Sequence, residues 1–177
     1  MTYTQHYDSP LGGILLAADE EGLTGLWFDG QKYFARTLPK EYAESETPVL
    51  CEAKRWLDIY FSGREPDFTP PLHPVGSAFR QAVWALLLEI PYGETTTYGT
   101  LARKLAEKQG LTHMSAQAVG GAVGHNDISL IIPCHRVVGA SGSLTGYAGG
   151  VDKKIKLLEL ERADMKSFFV PKKGTAL

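Results

Sequence analysis

Four prolines fall within nine residues of the stretch "REPDFTPPLHPVG", residues 64 to 76. Proline fixes φ and offers no N–H, so neither a helix nor an interior strand can run through that stretch. The chain is therefore divided there, and each side must find its own core. Residues 1–75 are read as an N-terminal domain, 76–165 as a C-terminal domain and 166–177 as a tail. A chain of 177 residues fits that division, since it is long enough for one to two domains with a real hydrophobic core.

On the N-terminal side, "GILLAADEEGLTGLWF" reads as two strands around the turn "DEEG", a hairpin. Thr47 and Pro48 form an N-cap and first-turn pair, and Leu50, Ala53, Leu57, Tyr60 and Phe61 recur at helical spacing to about Ser62. Cys51 lies within that helix and is expected to act as a small core residue. Nothing in this half carries recognisable chemistry.

Beyond the prolines, Phe79, Val83, Leu86, Leu87 and Ile90 make an apolar stripe on a helix that Pro91 and Gly93 end. A second helix is expected from Tyr98 to Glu107, capped by Thr97, with Leu101, Ala102 and Leu105 inside. After the loop "KQGLTHM", Ser115 can cap a third, "AQAVGGAVG". The fold class is thus α/β of the α+β kind: a small sheet-plus-helix domain, then a mainly helical one with a winged-helix-like helix-turn-helix. Each internal glycine costs a helix about 1 kcal/mol relative to alanine, so something must approach the third helix closely. A neighbouring helix would suffice, and so would a nucleic-acid backbone. With so few long polar side chains, that helix would read bases poorly, and any DNA binding should depend little on sequence.

The charges are unevenly split. Residues 1–75 hold 6 Lys/Arg against 12 Asp/Glu, and residues 76–177 hold 12 against 8. Any polyanion would meet the second half only, although on charge alone two solvated surfaces that merely differ are the better account.

That half also contains "IIPCHRVVG", residues 131 to 139. The apolar run Ile128 to Ile132 is expected to be a buried strand, which Pro133 stops, so that Cys134 sits where a strand meets a turn. There are only two cysteines, far apart in sequence, which suggests free thiols in a reducing compartment. Cys134 can be a nucleophile, a metal ligand or an inert core thiol. Its neighbours His135 and Arg136 favour the first, because they would stabilise a thiolate. A lone Cys-His pair is a poor metal site. His6, His73, His113 and His125 are scattered, and neither metal nor cofactor is expected. An orienting group for His135 is sought further on. In "DKKIKLLELERADM" Asp152 can cap a helix on which Leu157, Leu158 and Glu161 share a face. Glu161 either pairs with His135 or bends out to solvent. The opening "MTYTQHYDSPLGG" lacks targeting character, and no apolar run approaches the ~18 residues that span a bilayer, so a cytoplasmic protein with no membrane partner is expected.

The blocks "PYGETTTYGTLA", "AVGGAVGHN", "IIPCHRVVG", "GSLTGYAGG" and "KLLELE" stand in the order and about the spacing of the O6-alkylguanine-DNA alkyltransferase family, which the second half resembles. The first half resembles that family's variable N-terminal domain only in size and element order. The resemblance implies stoichiometric, irreversible transfer of an alkyl group from O6 of guanine in double-stranded DNA, after base flipping, by a protein acting as a monomer. It leaves open which alkyl groups are taken and whether O4-alkylthymine is also repaired. By the same resemblance Cys134 is the acceptor, His135 the base acting through a water, and Glu161 the carboxylate that holds it. Asn126 stabilises the turn, and Tyr98 donates a proton to the departing guanine. Val137, Tyr147, Ala148 and Gly149 line the alkyl pocket. Tyr98, Ser115, Ala116, Gln117, Ala118, Gly120 and Arg136 are expected at the DNA. Gln117 stands where many relatives carry arginine, Asp127 where proline usually follows the asparagine, and Arg162 where glycine is common. Asp127 is expected to loosen the turn and weaken DNA affinity. Two rivals use the same residues: a DNA-binding module with an unreactive Cys134, and a cysteine hydrolase with a Cys-His-Glu triad. The second needs an oxyanion hole, of which the sequence gives no sign.

Overall fold

A computed structural model describes residues 1–171. The chain forms two compact units, and the division is not a single cut. Residues Met1–Val75 and Asp127–Ile131 make the first; Gly76–Asn126 and the described chain from Ile132 to residue 171 make the second.

The first unit is a four-stranded sheet of order β3-β2-β1-β4, from β1 (Thr2–Ser9), β2 (Gly12–Ala18), β3 (Leu23–Phe28) and β4 (Tyr42–Glu44). The expected hairpin is β2–β3, antiparallel with Leu16 opposite Leu26. β1 pairs antiparallel with β2 and parallel with β4. Helix α1 (Pro48–Phe61) packs on the sheet, and the Thr47 hydroxyl accepts from the Leu50 N–H as a cap. Leu50, Ala53, Trp56, Leu57 and Tyr60 are its buried face. Cys51 is not on that face: it is exposed, and its thiol donates to Glu46 Oε1 at 3.0 Å. One step along a helix turns a side chain by about 100°, which carries Cys51 from the edge of the Leu50 face to the solvent side.

Ile128–Ile132 is not a strand. Ile128 makes a single parallel bridge with Leu26, Ile131 N–H turns back to Ser129 O at 2.8 Å, and Leu130 takes a positive φ of 70°. Here the apolar run is a tight turn that covers the open edge of β3, where Leu26 N–H donates to Asp127 O and Ser129 N–H to Leu26 O. Asp127 does not loosen this turn. Its buried carboxylate accepts from Arg36 Nη2 at 2.5 Å and from the Trp27 indole at 3.3 Å, which neutralises the charge and pins the backbone.

The second unit holds α2 (Ala78–Leu87), β5 (Thr96–Thr97), α3 (Tyr98–Lys108), α4 (Ala116–Gly124), β6 (Val137–Val138) and α5 (Val151–Leu160). Helices α2, α3 and α4 pack on one another. Val83, Leu86, Leu87, Leu101, Leu105, Val119 and Val123 are buried among them, each worth about 1.5–3 kcal/mol. The Trp84 indole donates to Ala122 O at 2.9 Å. β5 and β6 form a short parallel ladder. The Thr97 and Ser115 hydroxyls cap α3 and α4 as expected. Asp152 does not cap α5. The N-cap is Gly150, at φ 98°, and Asp152 lies in the first helical turn, where a carboxylate favours the helix dipole. Arg162 follows Glu161 at φ 58°, the left-handed conformation that favours glycine.

Phe168 packs with Met165 on the cluster of Val138, Leu144 and Leu158, while Phe169 is exposed and bridges Ser143 through its backbone. The rest of the tail, 172–177, lies outside the described residues. No described helix is long and apolar enough to cross a membrane. No described group of three His, Cys, Asp or Glu could hold a metal ion.

Candidate active site

Pro133 ends the preceding turn, and Cys134–Arg136 make one turn of 3-10 helix that runs directly into β6. All three side chains of this turn point inward. Cys134 is 7% exposed and His135 is fully buried.

Glu161 sits at the C-terminal end of α5, on the face of Leu157 and Leu158, and is itself buried. Its Oε2 lies 2.6 Å from His135 Nε2. The same carboxylate accepts from Arg136 Nε at 2.8 Å, Arg136 Nη2 at 3.2 Å and the Gly93 N–H at 3.2 Å. Burial alone would raise the Glu161 carboxyl, but His135 and Arg136 outweigh it and hold it well below the usual carboxylate range. An anion there requires a proton on His135 Nε2, so the basic nitrogen of the ring is Nδ1.

His135 is itself pushed down, chiefly by burial, against the pull of Glu161 and with help from the charges of Arg136 and Lys154. It rests as neutral imidazole. Burial pushes the Cys134 thiol up, opposed by the Asn126 amide, by Lys154 and by the backbone N–H groups of Cys134 and His135. It rests as a thiol. A neutral base and a neutral acid thus occupy one turn, and the thiolate forms only when a proton moves.

The surroundings are assembled from the same unit. Asn126 Nδ2 donates to Ile132 O at 2.8 Å, tying the ends of the 126–132 turn. Val137 is buried, Tyr147 lies edge-on to His135 with ring centroids 6.4 Å apart, and Ala148 and Gly149 are half-buried beside it in sequence. The Tyr98 hydroxyl donates to Thr145 O at 3.4 Å, and burial and the nearby sulfur hold the phenol well above its usual range.

Two family models divide the chain between them. Residues 2–74 match the 6-O-methylguanine DNA methyltransferase ribonuclease-like domain, and residues 78–163 match the DNA binding domain of the same name. The chain belongs to the 6-O-methylguanine DNA methyltransferase family. It is 45% identical to the methylated-DNA–protein-cysteine methyltransferase of Methanosarcina acetivorans, over 90% of this chain and 97% of that one. It is 42% identical to the protein of that name from Haemophilus influenzae, over 90% and 86%. Among solved structures, Mycobacterium tuberculosis OGT in complex with DNA matches with a TM-score of 0.78 at 41% identity, covering 90% of this chain and 92% of that one. An O6-methylguanine DNA methyltransferase from Methanococcus jannaschii matches with a TM-score of 0.62 at 29% identity, covering 96% and 99%.

The methyltransferase DNA binding domain so matched contains the whole Cys134 site and the α3–α4 pair. Ser115, Ala116, Gln117 and Ala118 are exposed along the start of α4. Gly120 is not: it is buried in α4 and offers DNA no surface. Arg136 is also misplaced at the DNA. It is 8% exposed, with Nη1 donating to Ile90 O at 2.7 Å and its guanidinium 5.7 Å from the centre of the Tyr92 ring. Sequence reasoning missed Lys154, which is fully buried, with Nζ donating to Val137 O at 2.5 Å and Thr145 O at 2.7 Å. Burial lowers it to about 8, against the field of Cys134. Its place three and four residues before Leu157 and Leu158 puts it on the apolar face, a signal the sequence already contained.

Proposed function

We propose that this chain repairs double-stranded DNA by direct reversal, moving the alkyl group of O6-alkylguanine to Cys134 once per molecule. The observation that carries this reading is the buried His135–Glu161 pair on the turn of a thiol that rests protonated. Ser115, Ala116, Gln117, Ala118 and Tyr98 meet the DNA, with little dependence on sequence. The lesion is flipped out of the stack into the pocket formed by Val137, Tyr147, Ala148 and Gly149. Asn126 keeps the turn in shape and supports the sulfur.

A water passes the thiol proton to His135 Nδ1, and Glu161 stabilises the imidazolium that results. The sulfur lone pair then forms the S–C bond as the C–O6 bond breaks, and its electrons stay with guanine, which takes a proton from Tyr98. The Tyr98 phenolate regains a proton from water as the His135 imidazolium releases its own, so in sum the thiol has exchanged its proton for the alkyl group and guanine has exchanged the alkyl group for a proton. The thioether has no electrophilic carbonyl for water to attack, so the site has no route back to the thiol. Every group named comes from one unit of one chain, which supports action as a monomer.

The test is to mix the protein with a duplex carrying O6-methylguanine and measure its intact mass, with peptide mapping and Cys134→Ser as control. A gain of one methyl group on Cys134, stopping at one per molecule, is expected. Unmodified protein that still binds the duplex would leave a DNA-binding module, and repeated turnover without an adduct would leave a hydrolase.

A further inference from the structure

Arg136 has a charge and a position that need explaining once it is removed from the DNA. Its guanidinium makes two bonds to Glu161 and one to Ile90 O and lies over Tyr92, so three of its five donors are committed inside the unit. The buried groups near His135 are Glu161, Arg136, Lys154 and Cys134, with the Tyr147 ring at its edge. In the resting site Glu161 is the anion of this set, and Cys134 and His135 are neutral.

A buried anion needs a countercharge. Without Arg136, the nearest group able to supply one to Glu161 is His135, 2.6 Å away, by holding a second proton. An imidazolium cannot accept the proton of Cys134. We propose that Arg136 is a positioning residue of the transfer reaction, which balances Glu161 so that His135 rests as a neutral base aimed by its Nε2–H bond. The proposal rests on the alkyl-transfer reading, since it concerns the base of that reaction, and it assigns Arg136 no contact with substrate.

The test uses the full chain with Arg136→Gln, which removes the charge, and Arg136→Lys, which keeps a charge but loses the fork. Two readouts are taken against pH: the NMR titration of the His135 ring and the single-turnover rate of methyl transfer. A protonated His135 cannot act, so the rate is lost as pH falls through the His135 midpoint. Removal of Arg136 raises that midpoint, so the acid limb must move to higher pH. In Arg136→Gln both should rise together by about one pH unit or more, as for loss of a close charge, with the rate recovering at alkaline pH. In Arg136→Lys they should rise by less, in the same direction, and this variant decides the matter if the first does not fold. A folded variant with an unmoved midpoint and a rate lowered equally at every pH would overturn the proposal and leave Arg136 a packing residue. A shifted midpoint without a shifted limb would also overturn it. The NMR titration needs no alkyl transfer, so a wild-type protein that fails to take up methyl would sink the functional reading while the role of Arg136 is still tested.

Discussion

At Glu161, a fully buried carboxylate receives donors from His135, Arg136 and Gly93, and the consequences of altering it follow from that geometry. Glu161→Gln keeps the shape but leaves Arg136 as an unbalanced buried cation. Breaking such a pair costs about 3–5 kcal/mol, so a urea titration at pH 7 should show a loss of that order, and methyl transfer should slow in the protein that remains folded. The pH dependence has a definite sign. The folded carboxyl is held below its unfolded value of 4.5, so its contribution is complete above about pH 4.5 and is lost as pH falls further. Wild-type stability should therefore fall progressively as pH drops below about 4.5, and the Gln variant should fall less, as parallel urea titrations would show.

Helix α4 separates two uses of glycine that sequence alone could not tell apart. Gly120 is buried, whereas a Cβ added at Gly121 would meet nothing within 4 Å. Gly121→Ala should stabilise the free protein by about 0.5–1 kcal/mol through helix propensity, read as a higher melting temperature. If α4 meets DNA along this side, affinity for a duplex should fall at the same time. The helices were legible because their signals are local: Thr47, Thr97 and Ser115 each stand three residues before the N–H they cap. β1 and β4 carry no comparable local signal, since β4 is held by pairing with a strand distant in sequence. Ile128–Ile132 is buried on all sides, which erases the alternation that would separate a strand from a turn. The start of α5 was misplaced because Gly150 caps it with no side chain. In the site, Cys134 and His135 stand out by residue type, whereas spacing leaves Glu161 between pairing with His135 and bending out to solvent, and the 2.6 Å contact decides for the pair. The place of Arg136 was not legible, because a charged residue beside a nucleophile gives no sign in sequence of which way it turns.

Over the whole molecule, the proline cluster marks where the chain leaves the first unit, but not the last time it belongs to it. Residues 127–131 return to the β3 edge between Asn126, which supports the nucleophile's turn, and Ile132, whose carbonyl Asn126 holds. A fragment starting at Gly76 would carry those five residues without Leu26, Trp27 or Arg36 to receive them. Its melting temperature should be well below that of the full chain, and its Asp127 would lack the Arg36 charge, both measurable by thermal circular dichroism with Asp127→Asn for comparison. The same feature limits how such genes can recombine. An exchange between relatives made at the prolines alone would join one parent's strand edge to the other parent's turn, so a clean swap of halves needs three junctions rather than one: after Val75, after Asn126 and after Ile131.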